Sequence, residues 1–392
     1  MTERTPMRQS CILSSPNRYK IATFGFNTQG GTTATKAPGT VDTDWTQQVR
    51  IARLSEAAGI EAILPGARWI GYGGETNFQG RSFETFAWAA GMAAVTDRTQ
   101  VFATFHVPTA HPVRVAKTIA TIDHISGGRF GLNIVAGWNA SEIEMFAGSQ
   151  REHDARYEFA GEFFDVVNRM LDEEGFFDHE GEFFTIKGAY SEPKPIQSPR
   201  PVYMAAGFSP TGRRFAAEYA DISFIPDIGL ERVPATIAET KEMAAARGRE
   251  VHLFSQANIV CADSEKEARD YLHYYVEEMG DFPAAKNLMT SLFANSSAQS
   301  AMATGGRPAG DDPKVRGMQS RVIAGHGGHM LIGTPEMVVD GMLKLSEAGF
   351  DGSTLSWVDY EAGLVQFREQ ILPLMIDAGL RVDESTTTAQ AE

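Results

Sequence analysis

The stretch T-I-D-H-I-S-G-G-R-F-G-L-N-I-V-A-G-W, residues 121–138, decides the fold. It reads as the end of a helix, a glycine break, a buried strand over Phe130–Val135, and an abrupt stop at Gly137-Trp138. One polar residue, Asn133, interrupts the apolar run. A buried amide without a partner costs about 1–3 kcal/mol. Asn133 is therefore either satisfied within the fold or aimed at a ligand. Trp138 stands just past the strand, where an aromatic ring can wall a pocket.

On both sides of this stretch the chain alternates strand and helix. Strand-like runs lie near positions 20, 62, 100, 130, 201, 221, 252 and 352, each followed by an amphipathic segment. Such alternation means a parallel sheet. Eight units without a dinucleotide fingerprint favour an α/β fold of the (β/α)8 TIM barrel type, with insertion segments at the C-terminal face; a doubly wound sheet is the alternative. Residues 1–18 read as a loose N-terminal extension and 19–380 as the barrel. Within it, Phe176–Ile186 reads as a hairpin and 281–328 as an insertion forming a mobile lid. Residues 381–392, ending in the polar run after Asp383, read as a disordered tail.

Composition narrows the function classes. Of 392 residues, 43% are hydrophobic and 22% charged, which supplies a core. There are 35 basic residues against 50 acidic ones, a net charge of −15. That balance argues against nucleic acid and anionic membranes as partners. Two cysteines, Cys11 and Cys261, no apolar leader and no long apolar run point to a cytoplasmic protein.

In a barrel the working residues lie at strand C-termini and in the loops that follow. That rule selects Phe26, Arg68, Thr104, His106, Asn133, Trp138, Ser209 and the run from Ser356, including Trp357. Gly207-Phe208-Ser209-Pro210 joins a strand to a helix, where free amides and a hydroxyl suit an anion; a plain helix cap is the structural alternative. Arg156-Tyr157 opens another helix and can clamp a phosphate, or simply make a surface ion pair. Thr104 and Asn133, on neighbouring strands, can hydrogen-bond a flat heteroaromatic ring. Glu142 suits a ring edge, a sugar hydroxyl or a helix dipole. No metal site is expected: no helix carries a ligand pair. Nucleophile-elbow, Walker and C-x-x-C motifs are missing, and no catalytic base stands out. A cofactor that performs the chemistry fits this pattern.

The run A-T-I-D-H-I-S-G-G-R-F-G-L-N-I-V-A-G-W, with Glu142 and H-D-A-R-Y-E-F at 153–159, resembles the bacterial luciferase-like flavin monooxygenases. Further matches are G-Y-G-G-E-T-N-F at 71–78, E-P-K-P-I-Q-S-P-R-P at 192–201, A-G-F-S at 206–209 and L-I-G-T-P-E at 331–336. The narrower likeness is to the group acting on pyrimidines, dimethyl sulfone, dibenzothiophene sulfone and chelating amines. The resemblance implies reduced flavin mononucleotide (FMN), supplied by a separate NAD(P)H-dependent flavin reductase, with O2 as co-substrate. It implies a flavin peroxide at N5 or C4a that oxygenates and cleaves a small heteroaromatic, sulfone or amide. Carried over by position, FMN contacts are Ala67, Arg68, Asn133, Glu142, Arg156, Tyr157, Gly207, Phe208 and Ser209. Thr104, Asn133 and Trp138 are the catalytic positions; Phe26, His106, Trp138 and Trp357 border the substrate. A homodimer or homotetramer is implied. The alternatives are a flavin-degrading lyase, a deazaflavin-dependent oxidoreductase and a non-catalytic flavin-binding protein. The segments around Arg68 and at 105–112, F-H-V-P-T-A-H-P, depart from the pyrimidine-cleaving pattern, so the resemblance does not carry the substrate over.

Overall fold

The computed structural model describes residues 11–146, 148–293 and 312–383. Its strands are β1 (Lys20–Phe24), β2 (Ala62–Leu64), β3 (Gln100–His106), β4 (Phe130–Val135), β5 (Phe177–Glu180), β6 (Thr185–Ala189), β7 (Val202–Ala205), β8 (Ile222–Ile225), β9 (His252–Cys261), β10 (His329–Gly333) and β11 (Gly352–Ser356). β1, β2, β3, β4, β7, β8, β9 and β11 pair in that order, all parallel, and β11 returns to β1. They are the eight strands expected from the sequence, closed into a (β/α)8 barrel. β5 and β6 form the separate antiparallel hairpin.

β10 was not anticipated. β9 is ten residues long, and its first half is taken by β8 and β11. Its outer half, Ala257–Cys261, is left with a free edge, which β10 fills in parallel. The five residues of β10 follow a glycine run directly, so no periodicity marked them.

Local chemistry explains the quoted stretch. Pro112 begins the helix Pro112–Ile125, capped by the His111 ring, and Val115, Ala116, Ile119 and Ala120 are buried. The helix ends at Gly127 and Gly128, both at positive φ (+63° and +81°), which glycine adopts freely. The polar residues between helix and strand are structural fasteners. Asp123, fully buried, accepts from the amides of Ile196 and Gln197 at 2.6 and 2.9 Å. Ser126 receives the Arg129 amide at 3.0 Å. The Arg129 guanidinium donates to the carbonyls of Ala93, Thr96 and Thr99, closing the end of the helix Thr85–Val95.

Inside the barrel the period of two puts Phe102, Thr104 and His106 on one face of β3. Gly131 and Asn133 share a face of β4, and Thr104 pairs in register with Asn133. A Cβ on Gly131 would lie 2.5 Å from the Phe102 ring, so the glycine makes room for that ring. Phe102 packs with Ala22, Leu64, Met204, Phe254 and Ile12 in the lower interior.

Ile12 corrects the expected loose extension. Cys11–Ser14 is a short helix, Ile12 is wholly buried, and its amide donates to Gln100 at 3.0 Å. Residues 11–18 therefore belong to the barrel floor; residues 1–10 lie outside the described residues. The tail boundary also moves. Arg381 is buried and pairs with Glu61 at 3.0 Å, so the barrel continues past 380, while 384–392 lie outside the described residues.

The insertion's described flanks are the helices Phe282–Phe293 and Pro313–Gly325; 294–311 lie outside the described residues. The flanks are fastened to the barrel loops. Asp281, fully buried, holds the Thr76 amide and hydroxyl at 2.6 and 2.8 Å. Asn287 donates to the Tyr72 carbonyl, and Asn258 to that of Gly325, each at 2.8 Å.

Candidate active site

The C-terminal mouth gathers most of the expected residues. Thr104 donates to the Pro65 carbonyl at 2.6 Å, and its oxygen accepts from the Asn133 amide nitrogen at 3.2 Å. The amide's other end, Asn133 Oδ1, is buried and has no hydrogen-bond partner among the described residues. The amide that looked unexplained in the sequence is half satisfied by the fold, with one acceptor left over.

Glu142 is completely buried beside the loop after β2. Its Oε1 accepts from the amides of Trp69 and Ile70 at 2.8 and 3.2 Å and lies 3.3 Å from Arg68. Only Oε2 remains, 3.5 Å from His106 Nδ1, and neither of these buried atoms has a hydrogen-bond partner among the described residues. Burial, reinforced by the Arg68 charge, pushes the His106 pKa down to about 3, so its ring is neutral. The Arg68 guanidinium lies between the Trp138 and Tyr72 rings, 5.1 and 5.2 Å from their centroids, and donates to the Tyr72 hydroxyl at 2.6 Å. Ala67, Arg68, Thr104 and His106 line a cavity of about 330 Å³ whose walls also include Phe86, Phe146 and Arg114.

A second part of the mouth lies across β4 and β7. The helix His153–Asp172 buries Phe159, Phe163, Phe164 and Val167, which fixes its axis and brings Arg156 and Tyr157 to its first turn. Arg156 donates to the Gly137 carbonyl at 2.9 Å, while its Nε is buried without a partner among the described residues. Ser209 caps the helix Pro210–Tyr219 through the Gly212 amide at 3.1 Å. A Cβ on Gly207 would sit 2.5 Å from the Tyr157 hydroxyl, so this corner needs glycine. Burial raises the Tyr157 pKa, and its hydrogen bond with Ser209 offsets part of that. Phe208 packs near Arg213, 5.7 Å from its ring, and Arg213 Nε is another buried donor without a partner among the described residues. A glycine corner, a helix N-terminus and these arginines have the chemistry of an anion cradle.

Two expected pocket residues are elsewhere. Phe26 is wholly buried between Trp88 and Tyr360, with ring centroids at 5.3 and 6.1 Å. Trp357 packs on Tyr360 and Phe367 in the same core. Both rings pack outward among side chains of the surrounding helices, so neither borders the mouth.

The structure adds Tyr72, Arg213 and His326 to the mouth. His326 is the left-handed C-cap of the lid-flank helix, its pKa lowered to about 4 by burial and by Arg68. The paired spacing of His326 and His329 was visible in the sequence; that one of them is buried within the field of the Arg68 charge was not. Among the described residues, no three His, Cys, Asp or Glu side chains gather around a point that could hold a metal.

The family model for luciferase-like monooxygenases matches residues 19–352. The pyrimidine monooxygenase RutA of Acinetobacter baylyi is 31% identical over 336 residues, 83% of this chain and 86% of that one. The FMNH2-dependent dimethylsulfone monooxygenase of Pseudomonas putida is 26% identical over 359 residues, 91% of this chain and 95% of that one. A crystal structure of riboflavin lyase with modified FMN and riboflavin superposes with a TM-score of 0.81 at 21% identity, covering 93% of each chain, a likeness of fold.

Proposed function

Because the chain belongs to the luciferase-like monooxygenase family, we propose that it takes up reduced FMN from a separate flavin reductase and inserts one atom of O2 into a small organic substrate. Reduced FMN supplies the electrons that activate oxygen; the protein binds, orients and excludes water. Arg156, Tyr157, Gly207, Phe208 and Ser209 are assigned to the phosphate. Ala67, Thr104, Asn133 and Glu142 are assigned to the flavin ring and its polar edge, and Trp138 to the wall facing the substrate.

The observation that carries this reading is the Thr104–Asn133 pair. The Thr104 hydroxyl hydrogen goes to Pro65 and the Asn133 N–H goes to Thr104, which leaves Asn133 Oδ1 as a buried acceptor at the barrel mouth. A flat ring bearing N–H groups completes it. Relatives named for reduced FMN, at 26% identity across nearly the full chain, support that choice of ring. The partnerless Arg156 Nε gives the phosphate assignment a donor still to be satisfied.

Titration with FMN under anaerobic reduction tests the phosphate site. Arg156→Ala is expected to weaken binding about 10- to 100-fold, the value of a charge-assisted hydrogen bond. Unchanged affinity in that variant removes the phosphate assignment. Supplying flavin reductase, NADH and heavy oxygen with a substrate panel then tests the reaction. Reduced FMN consumed with every panel member and no label in any product refutes oxygen insertion.

A further inference from the structure

Beside the anion cradle a third side chain, Gln150, keeps a buried polar atom open. Gln150 lies in the loop between the short helix Ala140–Glu144 and the helix His153–Asp172. Gly148 turns that loop back: its amide donates to the Ile143 carbonyl at 3.3 Å, and a Cβ there would meet the Ile143 side chain at 2.9 Å. The turn brings Gln150 to Gly137, whose carbonyl receives Gln150 Nε2 at 3.4 Å and Arg156 Nη1 at 2.9 Å. Two side-chain heads therefore converge on one oxygen. A carbonyl takes only donors, so the Gln150 nitrogen faces it and Oε1 faces another way. That Oε1 is buried and has no hydrogen-bond partner among the described residues.

The open atom is an acceptor, and this decides what can complete it. An ionised phosphate brings no hydrogen and would meet Oε1 as acceptor against acceptor. Arg156 has the chemistry to hold a phosphate; Gln150 beside it does not. In FMN the donors nearest the phosphate are the hydroxyls of the ribityl chain. A hydroxyl drawn into a dry corner needs an acceptor for its hydrogen. The seat of the two heads is also hemmed in. Gly137 has φ +97°, and a Cβ there would lie 2.9 Å from the Pro108 ring and 3.2 Å from Ile143.

We propose that Gln150 is a further cofactor-binding residue, its Oε1 accepting the O–H of one ribityl hydroxyl while Arg156 holds the adjoining phosphate. The Gly137 carbonyl aims both side chains, Gln150 through Nε2 and Arg156 through Nη1. The same peptide leads into Trp138, so the groups that grip the ribityl phosphate also fix the start of the substrate-facing wall. This inference rests on the reduced-FMN reading. Gln150 lies outside the motifs that carry the family resemblance.

The test titrates the full chain, anaerobically, with reduced FMN and with the three FMN analogues that each lack one ribityl hydroxyl. Gln150→Met keeps the reach of the side chain and removes both polar atoms. FMN is expected to bind this variant about 5- to 10-fold more weakly than it binds the native chain, the worth of one neutral hydrogen bond. One analogue is expected to bind the native chain more weakly than FMN by about the same factor, and to lose nothing further in Gln150→Met. The other two analogues should lose as much as FMN does. Such non-additivity marks a direct contact. Equal losses for FMN and all three analogues would mean that Gln150 acts only by holding Gly137, and would overturn the inference. So would unchanged FMN affinity in Gln150→Met, which leaves a bridging water at Oε1. The native chain alone can also overturn it, by binding all three analogues as tightly as FMN. Each of these results leaves the monooxygenase standing, and the circular dichroism spectrum shows that the variant is folded. A native chain that does not bind reduced FMN removes the monooxygenase reading and this inference with it.

Discussion

At the barrel floor the Glu61 carboxylate accepts from the Ser15 hydroxyl, the Asn17 amide, the Ile21 amide and the Arg381 guanidinium, at 2.8, 2.5, 2.9 and 3.0 Å. At the mouth the Glu142 carboxylate is buried even more completely, yet one of its oxygens has no hydrogen-bond partner among the described residues. Arg129 and Arg156 repeat the contrast. The first donates to three carbonyls and a hydroxyl; the second keeps a buried Nε unpaired. A buried polar atom left alone costs about 1–3 kcal/mol, so such an atom at the mouth gains from a ligand that completes it. The bonds of Glu61 and Arg129 at the floor are architecture; the open atoms of Glu142 and Arg156 at the mouth are the ones we assign to a ligand.

The harshest way to break the comparison is to remove a floor partner. Arg381→Ala strands Glu61 in the interior and is expected to cost about 3–5 kcal/mol of stability. Urea unfolding measures it, and a shift no larger than that of a surface substitution would mean the floor pair is not structural. FMN affinity of the molecules that remain folded should not change.

Asn133→Ala inverts that pattern. It loses one hydrogen bond, about 1 kcal/mol of stability, but misplaces the group beside the ring and is expected to lower turnover on the order of 100-fold. Turnover kinetics and urea midpoints on the same preparation decide. Loss of stability with normal turnover would make Asn133 a floor-type residue.

The smallest effect is a slope. The His106 pKa falls from an ordinary 6.5 to about 3 in the folded protein. Below pH 6.5 the unfolded chain takes up a proton that the native ring refuses. Its contribution is therefore intact above pH 6.5 and is lost as pH falls toward 3, at up to about 1.4 kcal/mol per pH unit. His106→Gln should remove that share of the acid sensitivity. Parallel stability-versus-pH lines between pH 7 and 5 for the two proteins would show that the ring is not held neutral.

Much of this was legible in the chain. Eight apolar runs, each followed by a helix, specify the barrel, because a parallel sheet needs a crossover after every strand. Thr104 and Asn133 were visible because polar residues in apolar strands demand an explanation. Phe26 and Trp357 were misplaced because position after a strand does not say whether a ring faces the mouth or the surrounding helices. Residues 11–18 looked loose because a stretch of eight residues shows no period; one isoleucine under the barrel orders it. β10 was missed because its partner edge exists only once β9 outruns its neighbours.

The sequence by itself determined which residues are strand, helix and break, because periodicity, capping and glycine conformations are local. It also determined that Asn133 would be a buried polar group. Whether such a group is satisfied depends on atoms brought together from distant parts of the chain. The quoted stretch holds both answers: Asp123 and Arg129 end at the floor with their partners, and Asn133 ends at the mouth with an acceptor open. Only the closing of the barrel, which sets β3 beside β4 and the β2 loop over Glu142, decided between them.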